Sequence, residues 1–225
     1  MLRLYGSPIT RAQRVLWMLE ELGAEYELTP VGVPSKLGDL LPKDELLKLN
    51  PSGKVPVLVD GDLVLTESYA INLHLARTRE SALTPRGDAE WAKALQWTLW
   101  MATEIESDLT GVLVPRRAGL LAQFDEAQKK HDALLRFGLH HRLGTLETGL
   151  ADRDWLVGAR FTVADLNLAS MLALAAPSGV SFDARPRVDA WLAACLARPA
   201  ARRAWGLVLD DAKAFSFVGD LAVRG

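Results

Sequence analysis

An α/β segment followed by an all-α segment is the fold class this sequence predicts, and three observations predict it. Over the first eighty residues the apolar positions switch between a period of two and a helical period, whereas beyond residue 88 only the helical period persists. Thr84-Pro85-Arg86-Gly87 lies between these regimes in an aperiodic stretch. With 225 residues the chain exceeds one typical domain, so the reading is two domains, 1–80 and 89–225, joined by a linker over 81–88.

The first domain can be read element by element. Leu2-Arg3-Leu4-Tyr5 alternates as a short strand and stops at Gly6-Ser7-Pro8. Val15, Leu16, Leu19 and Leu22 form one helical stripe, with Gly23 placed to end the helix in a left-handed conformation. Tyr26 to Val31 reads as a second strand, Leu40 to Leu49 as a short helix and Val55 to Val59 as a third strand. Asp60-Gly61-Asp62 turns the chain into a fourth strand, Leu63 to Thr66, and Tyr69 to Arg79 is a third helix. The order is βαβαββα. A right-handed crossover makes the first two strands parallel, and the hairpin adds antiparallel strands to the same sheet.

Beyond the linker, Trp91, Leu95, Thr98, Ala102, Ile105 and Leu109 mark a long amphipathic helix, ended or bent near Pro115-Arg116-Arg117. Leu134 to Leu150 is another helix. Thr162-Val163-Ala164-Asp165 is a capping box with Phe161 and Leu166 as a hydrophobic staple, the clearest helix start in the chain. Arg187 to Arg198 and Ala200 to Leu209 read as two more helices, before an irregular tail from Ala214 to Gly225. In that tail Phe215 and Phe217 would either fold over a pocket or pack on the helical domain.

Composition narrows the functional classes. A net charge of −2 with 49% apolar and 24% charged residues gives no basic excess to attract nucleic acid or an anionic membrane. Neither a signal peptide nor a membrane-spanning run is present, so the expected compartment is the cytoplasm. Cys195 lies in the apolar pattern Trp191, Leu192, Cys195, Leu196 and reads as a buried structural thiol. His140 and His141 are adjacent, so on a helix they point roughly 100° apart, and no ligand stands one turn away; no metal site is expected.

Chemistry concentrates around Lys54-Val55-Pro56-Val57-Leu58 and Glu67-Ser68. Proline inside an apolar strand-like run belongs at an edge, a bulge or a cis turn where the backbone faces a ligand. A helix start beside such an edge suits an anionic, peptide-like molecule.

The βαβαββα order followed by helices, with Val55-Pro56 before a hairpin, Glu67-Ser68 at a helix start and Phe161-Thr162-Val163-Ala164-Asp165 deep in the second half, resembles the cytosolic glutathione transferases. The match spans nearly the whole chain. Asn50-Pro51-Ser52-Gly53-Lys54-Val55-Pro56 and Glu67-Ser68-Tyr69-Ala70-Ile71-Asn72-Leu73 look like that family's glutathione-site signatures. Leu4-Tyr5-Gly6-Ser7-Pro8 and Arg14-Val15-Leu16 are similar to bacterial and fungal members and to the plant classes with a catalytic serine.

The resemblance implies a thioredoxin-like first domain that binds glutathione as co-substrate. A cis Pro56 would leave the Val55 backbone to pair with the cysteinyl residue like an added strand, and Glu67 would receive the γ-glutamyl amino group. Ser68 and the first N–H groups of the third helix would hold the γ-glutamyl carboxylate, with Lys54 and Lys43 as neutralising cations. The family places its thiol-activating residue at the end of the first strand or the start of the first helix. Thr10 aligns best with the serine of the plant-like classes, Ser7 is the second candidate and Tyr5 the third. Thr10-Arg11-Ala12-Gln13 is itself a capping box, and Arg11 is a cation that would favour a nearby thiolate. Electrophile contacts are implied at Ile9, Trp100, Thr103, Ser107 and Val112. Activation of the thiol for attack on an electrophilic, partly apolar substrate, a homodimer and a role in detoxification follow from the same resemblance. The fold also serves as a non-catalytic scaffold or interaction protein, and as a glutathione-dependent isomerase, etherase, dehalogenase or peroxidase. Retention of Val55, Pro56, Glu67 and Ser68 together speaks against the scaffold reading, while the glutathione half is shared by the other reactions.

Overall fold

The computed structural model describes residues 1–32, 39–175 and 179–213, apart from the side chains of residues 116–117 and 208–213. The tail with Phe215 and Phe217 lies outside the described residues. Two compact units are formed. One comprises Met1–Thr84 together with the segment from Ala197 that carries the last helix, and the other is Pro85–Leu196.

In the first unit a mixed sheet of four strands has the order β2-β1-β3-β4, from β1 (Leu2–Tyr5), β2 (Tyr26–Thr29), β3 (Val57–Asp60) and β4 (Leu63–Thr66). β1 and β2 are parallel, with Leu4 opposite Leu28, while β1 pairs antiparallel with β3, Leu4 opposite Leu58. The parallel pair and the antiparallel hairpin follow the element order read above, and together they make the thioredoxin-like arrangement the resemblance implies. Two strands are shorter than the apolar runs suggested. β2 stops before Pro30, which has no N–H for the ladder, and β3 begins only after the cis Val55–Pro56 bond. Likewise α2 (Lys43–Leu49) starts after Pro42, because the residue before a proline is held out of helical conformation.

α1 (Ala12–Leu22) ends, as read, at Gly23 with φ 58°. Every residue from Ala12 to Leu19 is buried, because α3 (Ser68–Thr78) and α9 (Pro199–Lys213) both pack against this helix. α9 is pinned by charge: Arg198 donates to both Glu21 oxygens at 2.6 and 2.7 Å, and Arg203 to Glu20 at 2.6 Å.

At the foot of the hairpin the Asp60 carboxylate accepts from His74 Nε2 and Arg79, each at 3.0 Å. The His74 hydrogen bond, with Arg79 behind it, holds the Asp60 carboxyl below its ordinary value, against partial burial. A depressed folded-state value stabilises the protein above the ordinary carboxyl pKa of 3.8 and loses that contribution as pH falls through the folded value. Asp60→Asn should therefore lower the urea midpoint at pH 6, with the difference shrinking as both proteins are acidified below the ordinary carboxyl value of 3.8. A difference that persists undiminished in acid would show the effect is not one of charge.

The second unit is helical. α4 (Gly87–Trp100) continues through a π-helical turn, Met101–Ile105, into α5 (Glu106–Arg117), which contains Pro115 within its last turns. The long helix is thus re-phased by the π turn, which the periodicity did not reveal. α6 (Glu126–Gly149) begins a full two turns before the expected Leu134, at a capping box between Asp125 and Gln128. α7 (Val163–Leu172) and α8 (Pro186–Leu196) complete the unit, with Cys195 fully buried on α8 as expected.

Asp165 organises this core. Its Oδ2 accepts from the Thr162 N–H at 2.9 Å and the Thr162 hydroxyl at 3.0 Å; its Oδ1 accepts from Leu156 N–H and Trp191 Nε1, both at 2.9 Å. Burial pushes the Asp165 carboxyl above the usual range, and the four hydrogen bonds pull the other way.

Candidate active site

The candidate site belongs to the first unit and is built on three loops. The first leaves β1 at Gly6, turns through Ser7–Thr10 and enters α1; the second carries Lys54, Val55 and Pro56; the third joins β4 to α3 at Glu67-Ser68.

Gly6 lies where the first loop meets both α1 and the second loop. It stands at φ 151°, and a Cβ there would lie 2.7 Å from the Ala12 Cβ, 3.6 Å from the Val55 Cβ and 3.8 Å from the Pro56 Cα. The forbidding contact is the one with Ala12, so glycine is what lets the end of β1 close onto the start of α1, while Val55 and Pro56 of the cis bend lie at ordinary contact distance from the same position. Pro56 is buried, Val55 half-buried and Lys54 exposed. Asn50 sets the bend from behind. Its Nδ2 donates to the Lys54 carbonyl at 2.7 Å while its Oδ1 accepts from Ser52 N–H and hydroxyl.

Ser7 and Thr10, the two candidates for thiol activation, differ sharply. Ser7 is fully buried; its hydroxyl donates to the Val31 carbonyl at 3.1 Å and accepts from the Val31 N–H at 3.3 Å. Thr10 is half-buried, and its hydroxyl donates to the Ser7 carbonyl at 2.6 Å while accepting from the Ala12 N–H at 3.2 Å. The expected capping box is replaced by this tighter turn: the accepted N–H is that of Ala12, and the Thr10 carbonyl takes the Gln13 N–H instead. Arg11 is exposed, and Tyr5 is a half-buried strand residue paired with Thr29 and Val57.

At the third loop, Glu67 is exposed and holds φ 65°, one of two non-glycine residues with positive φ among the described residues. Such a conformation costs on the order of 1–3 kcal/mol and clusters at ligand clamps. Ser68 is the first residue of α3 and is buried, with Arg14 NH1 donating to its Oγ at 3.2 Å. Lys43 is exposed at the start of α2. Arg14 and Asn50 carry weight in this site that motif reading alone did not assign. Both are polar residues buried within the family-like motifs, which was the available signal.

The electrophile candidates are scattered in environment. Ile9 is half-buried in the first unit. In the second, Trp100 is half-buried and meets Trp97 edge to face at 5.4 Å, Thr103 and Ser107 are exposed, and Val112 is fully buried in the core. Thr103 sits in the π turn, donating to the Leu99 carbonyl at 3.0 Å. His140 and His141 are both exposed, and among the described residues no cluster of three His, Cys, Asp or Glu side chains could hold a metal ion. No helix among them is long and apolar enough to cross a membrane.

Residues 10–78 match the family model of the glutathione S-transferase N-terminal domain and residues 101–199 that of the C-terminal domain. Glutathione S-transferase 3 of Zea mays is 34% identical over 212 residues, covering 88% of this chain and 90% of the maize protein. The chain belongs to the glutathione S-transferase family. A glutathione S-transferase of Hyoscyamus muticus is 32% identical, with 88% of this chain and 95% of the relative covered. Among solved structures, the theta class glutathione S-transferase from Xanthomonas axonopodis pv. citri with glutathione bound superimposes with a TM-score of 0.79 at 29% identity, over 90% of this chain and 96% of that one. Glutathione S-transferase III in apo form gives 0.74 at 32% identity, over 91% and 95%. Glutathione is the co-substrate of this family, and the architecture found here is the family's own.

Proposed function

We propose that this protein is a serine/threonine-type glutathione transferase that ionises the thiol of glutathione and directs the thiolate at an electrophilic, partly apolar substrate. The observation that carries this reading is the place of Gly6, which leads from β1 into the hydroxyl-bearing turn before α1 and lies within contact distance of the cis Val55–Pro56 bend. In this reading the Val55 backbone pairs with the cysteinyl residue, Glu67 receives the γ-glutamyl amine, and Lys54 and Lys43 neutralise carboxylates. Ser68 and the α3 N-terminus take the γ-glutamyl carboxylate.

Thr10 is the group that stabilises the thiolate. Its hydroxyl turns from the Ser7 carbonyl to the sulfur, keeping the Ala12 N–H as its own donor. Ser7, committed in both directions to Val31, supports the turn instead. A thiol pKa lowered from about 8.5 by about 2 units requires roughly 2.7 kcal/mol of preferential anion stabilisation. One hydrogen bond to the anion beside a helix N-terminus is of that size. The thiol releases its proton to solvent, and the stabilised thiolate forms a C–S bond by adding to the electrophilic carbon, without a covalent enzyme intermediate. Ile9, Trp100, Thr103 and Ser107 are proposed electrophile contacts; Val112, fully buried in the core, stands outside that set. A cytoplasmic homodimer with a detoxification role accompanies the reading, and the likeness to the Xanthomonas structure supports the bacterial affinity seen in the first loop.

The test is the ultraviolet thiolate absorbance of glutathione with excess protein, titrated from pH 5 to 9. The expected midpoint lies about 2 units below that of free glutathione. An unshifted midpoint with no binding would sink the proposal and favour the scaffold reading.

A further inference from the structure

Arg14 is an unusual residue to find inside this unit. It lies on α1 with 3% of its surface exposed, and burying a guanidinium is costly unless its surroundings are arranged for it. Those surroundings are the first turns of α3. NH1 donates to the Ser68 Oγ at 3.2 Å, the guanidinium carbon stands 4.2 Å over the Tyr69 ring, and the Arg14 carbonyl accepts from Asn72 Nδ2 at 3.2 Å. One residue of α1 thus grips positions 68, 69 and 72 of α3 by hydrogen bond, cation–π contact and backbone cap.

The direction of the first bond has a chemical consequence. A guanidinium only donates, so Ser68 is held as acceptor and its own proton must point elsewhere. Among the described residues no acceptor takes that proton, although the residue is only 4% exposed. A buried hydroxyl with its lone pair engaged and its proton available is a donor awaiting an anion, at the positive end of an eleven-residue helix.

We propose that Arg14 is a positioning residue for the γ-glutamyl carboxylate: it locks Ser68 into the donor orientation and adds a second positive charge behind the α3 N-terminus. This rests on the glutathione reading given above. It goes beyond that reading by assigning carboxylate affinity to a residue on α1 that need not touch the ligand. Lysine cannot replace it, because a flexible ammonium neither stacks on Tyr69 in the same plane nor fixes the hydroxyl with a planar fork.

The experiment is a double-mutant cycle read by calorimetric binding of S-methylglutathione, which carries both carboxylates but no ionisable thiol. Arg14→Lys and Ser68→Ala should each weaken binding about tenfold, and the double variant should be no weaker than about twentyfold, since both remove the same interaction. The thiolate midpoint of glutathione bound to Arg14→Lys should stay at the wild-type value, because Arg14 acts on the carboxylate end. Wild-type binding with an unchanged Arg14→Lys affinity would overturn this inference alone, as would single losses that multiply to about a hundredfold in the double variant. No binding of S-methylglutathione by the wild-type protein would overturn the glutathione reading and this inference with it.

Discussion

Replacing Asp165 by alanine should lower the unfolding free energy by about 4 kcal/mol, a large share of the roughly 5–15 kcal/mol that holds a typical domain together. The carboxylate takes four hydrogen bonds, from Leu156 N–H, Thr162 N–H, the Thr162 hydroxyl and Trp191 Nε1. Alanine orphans all four donors. Each buried unsatisfied donor costs about 1–3 kcal/mol. The sum overshoots, because the space left by the carboxylate is polar enough for water to re-satisfy some of them. Asp165→Asn should cost about half as much: its amide oxygen serves one pair of donors, its NH2 confronts the other, and a desolvated charge is removed. Trp191→Phe, which deletes one donor and leaves the rest, should cost about 1 kcal/mol. Urea unfolding curves with a shared slope give these values directly. An alanine variant within 1 kcal/mol of the wild type would mean that the network is geometric coincidence.

For activity, the largest expected effect is at Thr10. Thr10→Ala should return the thiol midpoint of bound glutathione toward that of the free thiol by about 1–2 units and lower conjugation at pH 6.5 about 10- to 100-fold. Thr10→Ser should restore most of both, since the hydroxyl is the working group and the methyl is not. Ser7→Ala should behave differently. It releases the Val31 backbone from a buried two-way hydrogen bond, so stability should fall by about 1–2 kcal/mol while the midpoint stays low. If Ser7→Ala raises the midpoint and Thr10→Ala does not, the roles assigned to the two hydroxyls are reversed.

The parts of this protein legible in its sequence are those governed by neighbours along the chain. Alternation in Leu2–Tyr5, the turn at Gly61, the left-handed stop at Gly23 and the Thr162–Asp165 start were all readable, because each depends on a few consecutive residues. The Asp125–Gln128 start of α6 is equally local, but the apolar pattern of that helix points to a start at Leu134. The π turn at Met101–Ile105 is different. A π turn adds one residue to a helical stretch and so re-phases the buried face beyond it, and where it falls is decided by packing that no local signal marks.

The candidate site was legible as a set of motifs and not as an arrangement. Lys54 to Pro56 and Glu67-Ser68 announce themselves by residue type, a proline in a strand and a hydroxyl at a helix start. Which of Ser7 and Thr10 has a hydroxyl to spare depends on Val31, 24 residues further along, and no local pattern carries that. Arg14 showed the same limit. It stands on α1, which the sequence presents as one apolar stripe of Val15, Leu16, Leu19 and Leu22 but which is buried from Ala12 through Leu19. That α3 and α9 both cover this helix only the tertiary structure decided. The sequence by itself determined the elements, their order and the types of group at the site, because those follow from short-range periodicity and backbone chemistry. Tertiary structure decided which hydroxyl is committed, where the buried guanidinium is aimed and what closes over α1, because those are contacts between residues 24 to more than 180 positions apart.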